Sequence, residues 1–158
     1  MTLISAVATP TTAANWIVEN RQSQWVTYTP SFSSGFGTPT NISVFYRLIG
    51  DTLYGKGSCT SGTSAAAIAS MTIPTGFTIS SAKLSLSNTT SGAGNILGSF
   101  ASSTNGAASY VVSATGTSTS MVYIGGEYSQ NPIIPANGSS VIANNSACSF
   151  AFEFPVTL

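Results

Sequence analysis

The chain has 158 residues, a formal net charge of zero and only 5% charged residues against 42% apolar ones. That size suits one domain with its own core, and high apolar content without net charge excludes a disordered chain. Four Lys and Arg cannot track a phosphate backbone, no apolar run approaches the roughly 20 residues of a spanning helix, and the chain has no His and only two Cys; nucleic-acid binding, membrane insertion, Ser-His-Asp or Cys-His catalysis and His-based zinc sites are therefore excluded.

Residues 1–24 read as an extended N-terminal arm, because Ala6 to Ala14 show neither helical nor strand periodicity. The arm begins with no basic segment ahead of an apolar one, so it does not read as a secretion signal, and synthesis in a cytoplasm is expected. Trp16, Ile17 and Val18, with Trp25 just beyond, are apolar enough to need burial, which marks them as docking residues for a neighbouring subunit or scaffold.

From residue 25 to 158 short strands alternate with turn residues every 8 to 12 positions, the pattern of an all-β antiparallel sandwich, jelly-roll-like in type. The clearest unit is a hairpin of residues 41–49 and 52–58 around Gly50-Asp51, a two-residue loop suited to a type I′ or II′ turn. Counting outward pairs Leu48 with Leu53, Tyr46 with Gly55 and Val44 with Gly57 on the core face. On the other face Arg47 meets Tyr54 and Lys56 meets Phe45, two cation–π pairs of about 0.5 to 1 kcal/mol each.

Further strands are expected at 66–73, 82–87, 95–100, 108–112 and 121–124, with Lys83 pointing outward and no helix anywhere. Gly125-Gly126 and the Gly92-Ala93-Gly94 stretch read as turn glycines, since no Lys or helix start follows them. The closing strand is the most decisive: Cys148, Phe150, Phe152 and Phe154 alternate with Ser149, Ala151 and Glu153, which places three phenylalanines on one face of a central strand. Cys59 and Cys148 share no CxxC spacing, and both fall on the apolar side of their strands. Free buried thiols are the favoured reading, with a disulfide as the alternative.

Ser and Thr together fill 48 positions. A hydroxyl-rich surface without charge does little to keep copies apart, so self-association is expected. Exposed aromatics beside amides and hydroxyls suit sugar rings, which stack on flat faces and are oriented by hydrogen bonds. Tyr123, Glu127, Tyr128, Gln130 and Asn131 supply that mixture in one strand-to-loop segment and form the candidate glycan site. Of the four carboxylates, Asp51 belongs to the turn and Glu19 to the arm. Glu127 and Glu153 are left as the pair a polysaccharide hydrolase would use; otherwise Glu153 pairs with Lys83 or Arg21 or faces outward.

The stretch from Phe45 to Gly57, then Ile73-Pro74-Thr75-Gly76-Phe77 and Ala82-Lys83-Leu84, resembles a domain of fibre and virion surface proteins of tailed bacteriophages. Trp25 to Pro30 and Phe150 to Pro155 are similar to it as well, so the resemblance covers roughly residues 25 to 155. It implies a homotrimeric β-sandwich knob displayed on the particle, with no catalytic residues and no cofactor. On that reading residues 1–24 attach the knob to other virion proteins, and its loops contact host surface glycan. A capsid decoration protein is the alternative within the same class. The family's fibrous shaft has no counterpart in this chain.

Overall fold

The computed structural model describes residues 24–84, 94–102, 109–114, 119–128 and 131–157. Its strands, in chain order, are β1 (Val26–Thr27), β2 (Thr40–Ile49), β3 (Thr52–Thr60), β4 (Ser70–Thr72), β5 (Thr78–Ile79), β6 (Gly94–Ser102), β7 (Ser109–Ala114), β8 (Met121–Tyr128), β9 (Asn131–Pro135) and β10 (Ala147–Thr157). Every pairing between them is antiparallel. The all-β class read from alternation and turn spacing is thus the class of the fold.

The β2–β3 hairpin has the register that counting from its turn gives: Leu48 opposite Leu53, Arg47 opposite Tyr54, Tyr46 opposite Gly55, Phe45 opposite Lys56 and Val44 opposite Gly57. Gly50 has φ 60° while Asp51 is not among the residues of positive φ, so the turn is type II′ with glycine at its first central position. On the core side Val44 Cγ2 sits 2.9 Å from where a Cβ on Gly57 would be, but Gly55 is covered by the ring of Phe152 rather than by its cross-strand partner Tyr46.

That ring belongs to β10, which pairs with β3 on one side and β6 on the other. Its burial alternates without a break, with Cys148, Phe150, Phe152, Phe154 and Val156 at most 4% exposed and Ser149, Ala151 and Glu153 facing out. The three phenylalanine rings stack in a row with centroids 6.4 and 5.5 Å apart. Each such side chain contributes roughly 2 to 3 kcal/mol when fully buried, so among the described residues the closing strand, with five buried side chains, is the largest contributor to the core.

Hydrogen bonding follows the path β1-β2-β3-β10-β6-β7-β8-β4, with β5 beside β10 and β9 beside β8. The two ends of the path are laced together by the segment that leaves β1. Phe32 bridges Met71 of β4, the Ser33 amide donates to the Ser70 carbonyl at 2.9 Å, and the Thr72 amide donates to the Ser31 carbonyl at 3.0 Å. The sheet therefore curls around one core. Phe36, fully buried, caps it with its ring against Phe32 at 4.8 Å and Phe100 at 6.1 Å.

Several local expectations are corrected. Residues 82–87 were expected as a strand; Ser81–Lys83 form a 3-10 turn instead, and 85–87 lie outside the described residues. The cause is tertiary: β5 pairs with Val156 and Thr157 at the end of β10, and the chain then bends so that Lys83 reaches the Asp51 carboxylate at 2.6 Å. The strand expected at 66–73 shrinks to Ser70–Thr72 plus a bridge at Ile68, because the residues before it bond to Asn137 and its neighbours. Gly125 and Gly126 are strand residues of β8, paired with β7 on one side and β9 on the other, not a turn. One helical turn, Gly138–Val141, stands where no helix was expected. Its four residues are too few for any sequence periodicity to register.

Candidate functional site

Across β3, β10 and β6 the outward-facing residues line an open groove of about 530 Å³. One wall is aromatic. Trp25 precedes β1, whose Val26 pairs with Tyr46, so the antiparallel register brings Trp25 beside Arg47 on the outer face. There the Arg47 guanidinium carbon lies 4.8 Å and the Lys56 ammonium 4.4 Å from the indole centroid. Arg47 also sits 5.3 Å from the Tyr54 ring. Two cations thus hold an edge tryptophan in place, at separations typical of cation–π pairs. The sequence had matched Lys56 with Phe45; the two are cross-strand neighbours, but the ammonium takes the larger indole of Trp25, whose face is the stronger cation acceptor.

The floor is flat because small residues meet there. Lys56 pairs with Ala151 on β10, and Ala151 pairs in turn with Ser99 on β6. Beyond Ser99 the register of β6 shifts between Ile96 and Gly98. This irregularity puts Leu97 into the core at 5% exposure and leaves Ile96 54% exposed as the opposite wall. Glu153, opposite Tyr54, adds a carboxylate to the row. Lys83 is committed to Asp51 and is not the ion-pair partner of Glu153.

The candidate residues read from sequence divide between this groove and other places. Trp25 and Glu153 line the groove; Trp16, Ile17, Val18 and Gln130 lie outside the described residues. Tyr123 is half-buried on β8 opposite Ser70, between the fully buried Val122 and Ile124. Glu127 and Tyr128 continue β8, and Asn131 opens β9 opposite Tyr128. The described residues of the proposed glycan segment are therefore strand, with Tyr123 and Tyr128 about 17 Å apart along β8, and Tyr123 is not among the residues that line the groove. Tyr54, Lys56, Ile96 and Ser99 were not chosen from sequence. The outward parity of Tyr54, Lys56 and Glu153 was visible; the pairing of β3 with β10 that makes them neighbours was not.

Chemically the groove offers stacking faces, one ammonium, one carboxylate and the hydroxyls of Ser99 and Tyr54 over an uncharged floor. A glycosidase needs two carboxyl groups about 5 to 9.5 Å apart. Glu127 lies three strands from Glu153 along the path β10-β6-β7-β8, about 14 Å of sheet at normal strand spacing before any offset along the strands. Among the described residues no group of three His, Cys, Asp or Glu could hold a metal ion, and no helix is long and apolar enough to cross a membrane. No protein-family model matches the chain, and neither does any curated protein or solved structure.

Proposed function

We propose that the chain is a non-enzymatic recognition domain that holds a saccharide in the groove across β3, β10 and β6. The observation that carries this is the wall of Trp25 and Tyr54, braced by Arg47 and Lys56, beside the hydroxyl of Ser99 and the carboxylate of Glu153. Flat aromatic faces next to a few polar groups suit a sugar ring better than a peptide that binds by adding a strand, which would need a free strand edge. The resemblance to tailed-phage surface proteins supplies the setting: a homotrimeric knob on the virion surface, attached through residues 1–24, whose groove reads host surface glycan.

The test is binding of the full chain to a panel of purified bacterial surface polysaccharides, with Trp25→Ala and Tyr54→Ala beside it and circular dichroism to confirm folding. Loss of a stacking wall should weaken binding at least tenfold, about 1.4 kcal/mol. Polysaccharide binding that both variants retain in full would remove the groove from the reading. Turnover of a polysaccharide that Glu153→Gln abolishes would replace recognition with hydrolysis. Deleting residues 2–24 separates the two virion roles: a receptor-binding knob keeps its hold on cells, whereas a decoration protein loses its hold on capsids.

A further inference from the structure

We propose that Cys59 and Cys148 are the site of an intrachain disulfide that ties β3 to the central strand β10. The two residues are direct cross-strand partners. The Ser61 amide donates to the Ser146 carbonyl and the Val156 amide to the Asp51 carbonyl, one at each end of the same ladder. Hydrogen-bonded pairs therefore fall at the odd positions of β3, and Cys59 opposite Cys148 is one of them. Such a pair has its Cα atoms about 5.5 Å apart, inside the 4.4 to 6.8 Å of a disulfide, while its Cβ atoms, about 5.5 Å apart, must close to about 4 Å, so the bond forms with a small shift of the two strands and is readily reduced.

The side chains agree with the backbone. Both face the core, 3% and 2% exposed, and the Cys148 thiol donates to the Ser146 carbonyl at 3.6 Å. The closeness of the two thiols makes the Cys148 proton easier to lose and the Cys59 proton harder, so one thiol is the better nucleophile and the other stays protonated beside it. The chain has no third cysteine, and burial keeps either thiol from a second copy. The pair also lies one position from the end of both strands, since β3 stops at Thr60 and β10 starts at Ala147. A buried network holds that end, with the Ser61 hydroxyl donating to the Ala143 carbonyl at 2.8 Å and accepting from the Ser146 amide at 3.0 Å, so an oxidant reaches the thiols through partial unfolding rather than through fraying.

The oxidant is a low-molecular-weight disulfide. The Cys148 thiolate attacks one of its sulfurs and expels a thiolate, leaving a mixed disulfide. Cys59 then gives up its proton, attacks the Cys148 sulfur and expels the second thiolate. Two protein thiols are oxidised to one disulfide, and the small disulfide takes both electrons and both protons to become two thiols. In a reducing cytoplasm the equilibrium lies with the thiols; in an oxidising exterior it lies with the bond.

The experiment is to hold the full chain with oxidised glutathione, in urea too dilute to unfold it, and then measure intact mass, map the peptides and record thermal unfolding. Closure should lower the mass by about 2 Da and give one linked peptide pair containing Cys59 and Cys148. It should also raise Tm by several degrees, since the bond closes a loop of roughly 90 residues in the unfolded chain. Dithiothreitol should reverse all three, and Cys59→Ala or Cys148→Ala should show none of them. Two thiols that still titrate after unfolding, glutathione adducts that never resolve, or links between chains would each overturn the proposal.

Discussion

At the residue scale, a sharp constraint lies at Gly98, where β6 passes β10. A Cβ there would overlap the Ala151 carbonyl oxygen and come within 2.7 Å of the Phe152 Cα. These are backbone atoms of the central strand and cannot move aside. Gly98→Ala should therefore cost about 3 kcal/mol in urea unfolding, against less than about 0.5 kcal/mol for the outward-facing Ser99→Ala beside it. Tyr28 presents the opposite case. Its ring packs edge-on against Tyr46 at 5.6 Å, while its hydroxyl is buried with no partner among the described residues. Burial pushes its pKa up. Removing a buried hydroxyl that makes no bond removes a desolvation cost, so Tyr28→Phe should match or exceed the parent stability by up to about 1 kcal/mol. A measured loss would show that the hydroxyl is bonded.

Asp51 carries the pH dependence. The hydrogen bond from Lys83, and after it the Lys83 charge, hold its carboxyl below the ordinary value. A folded-state pKa below the unfolded one means stabilisation that is present above about pH 4 and lost as the pH falls through the folded value. Both side chains are more than half exposed, so the effect is small. The Tm advantage over Asp51→Asn should shrink as the pH falls from about 7 to about 2, and an advantage that persists at the lower pH would remove the ion pair as its source.

At the element scale, legibility in the sequence follows contact distance along the chain. The β2–β3 hairpin was readable residue by residue because a glycine that tolerates positive φ fixes the turn, and the turn fixes the register. The inward face of β10 was readable because strict alternation of Phe with small or polar residues admits one burial pattern. What failed was every pairing between distant segments. Nothing local in Thr78-Ile79 says that it adds to the end of β10, and nothing in Asn131 to Pro135 says that it extends β8 into a hairpin. The groove inherits this division: each wall was visible as outward-facing residues of one strand, and their meeting depends on β3, β10 and β6 being neighbours. The clasp formed by residues 31–36 is the same kind of feature. It follows β1 in sequence yet bonds to β4 at the other end of the path. Phe36, at 0% exposure within it, should cost about 3 to 5 kcal/mol as Phe36→Ala, measured by urea denaturation. A loss under about 1 kcal/mol would show that the curl holds without the clasp.

At the scale of the whole molecule, a net charge of zero with few charges of either sign decides how copies meet. Self-repulsion that keeps ordinary proteins apart is nearly absent, and the described surface carries exposed Ile42, Ile49, Ile68 and Ile96. Association between such surfaces is driven by apolar burial and hydroxyl hydrogen bonds rather than by ion pairs. Its strength should not follow the Debye length. If the proposed trimer is the working form, light scattering at micromolar concentration should give about 48 kDa, three times the chain mass of 16.1 kDa. That mass should hold between about 0.05 and 0.5 M salt, a range over which exposed ion pairs lose most of their reach. A species at the chain mass would remove the trimer. A trimer that dissociates as salt rises would place the contact on the few charged residues, with Arg47 and Lys56 first among them, and would set the oligomer interface on the same face as the groove.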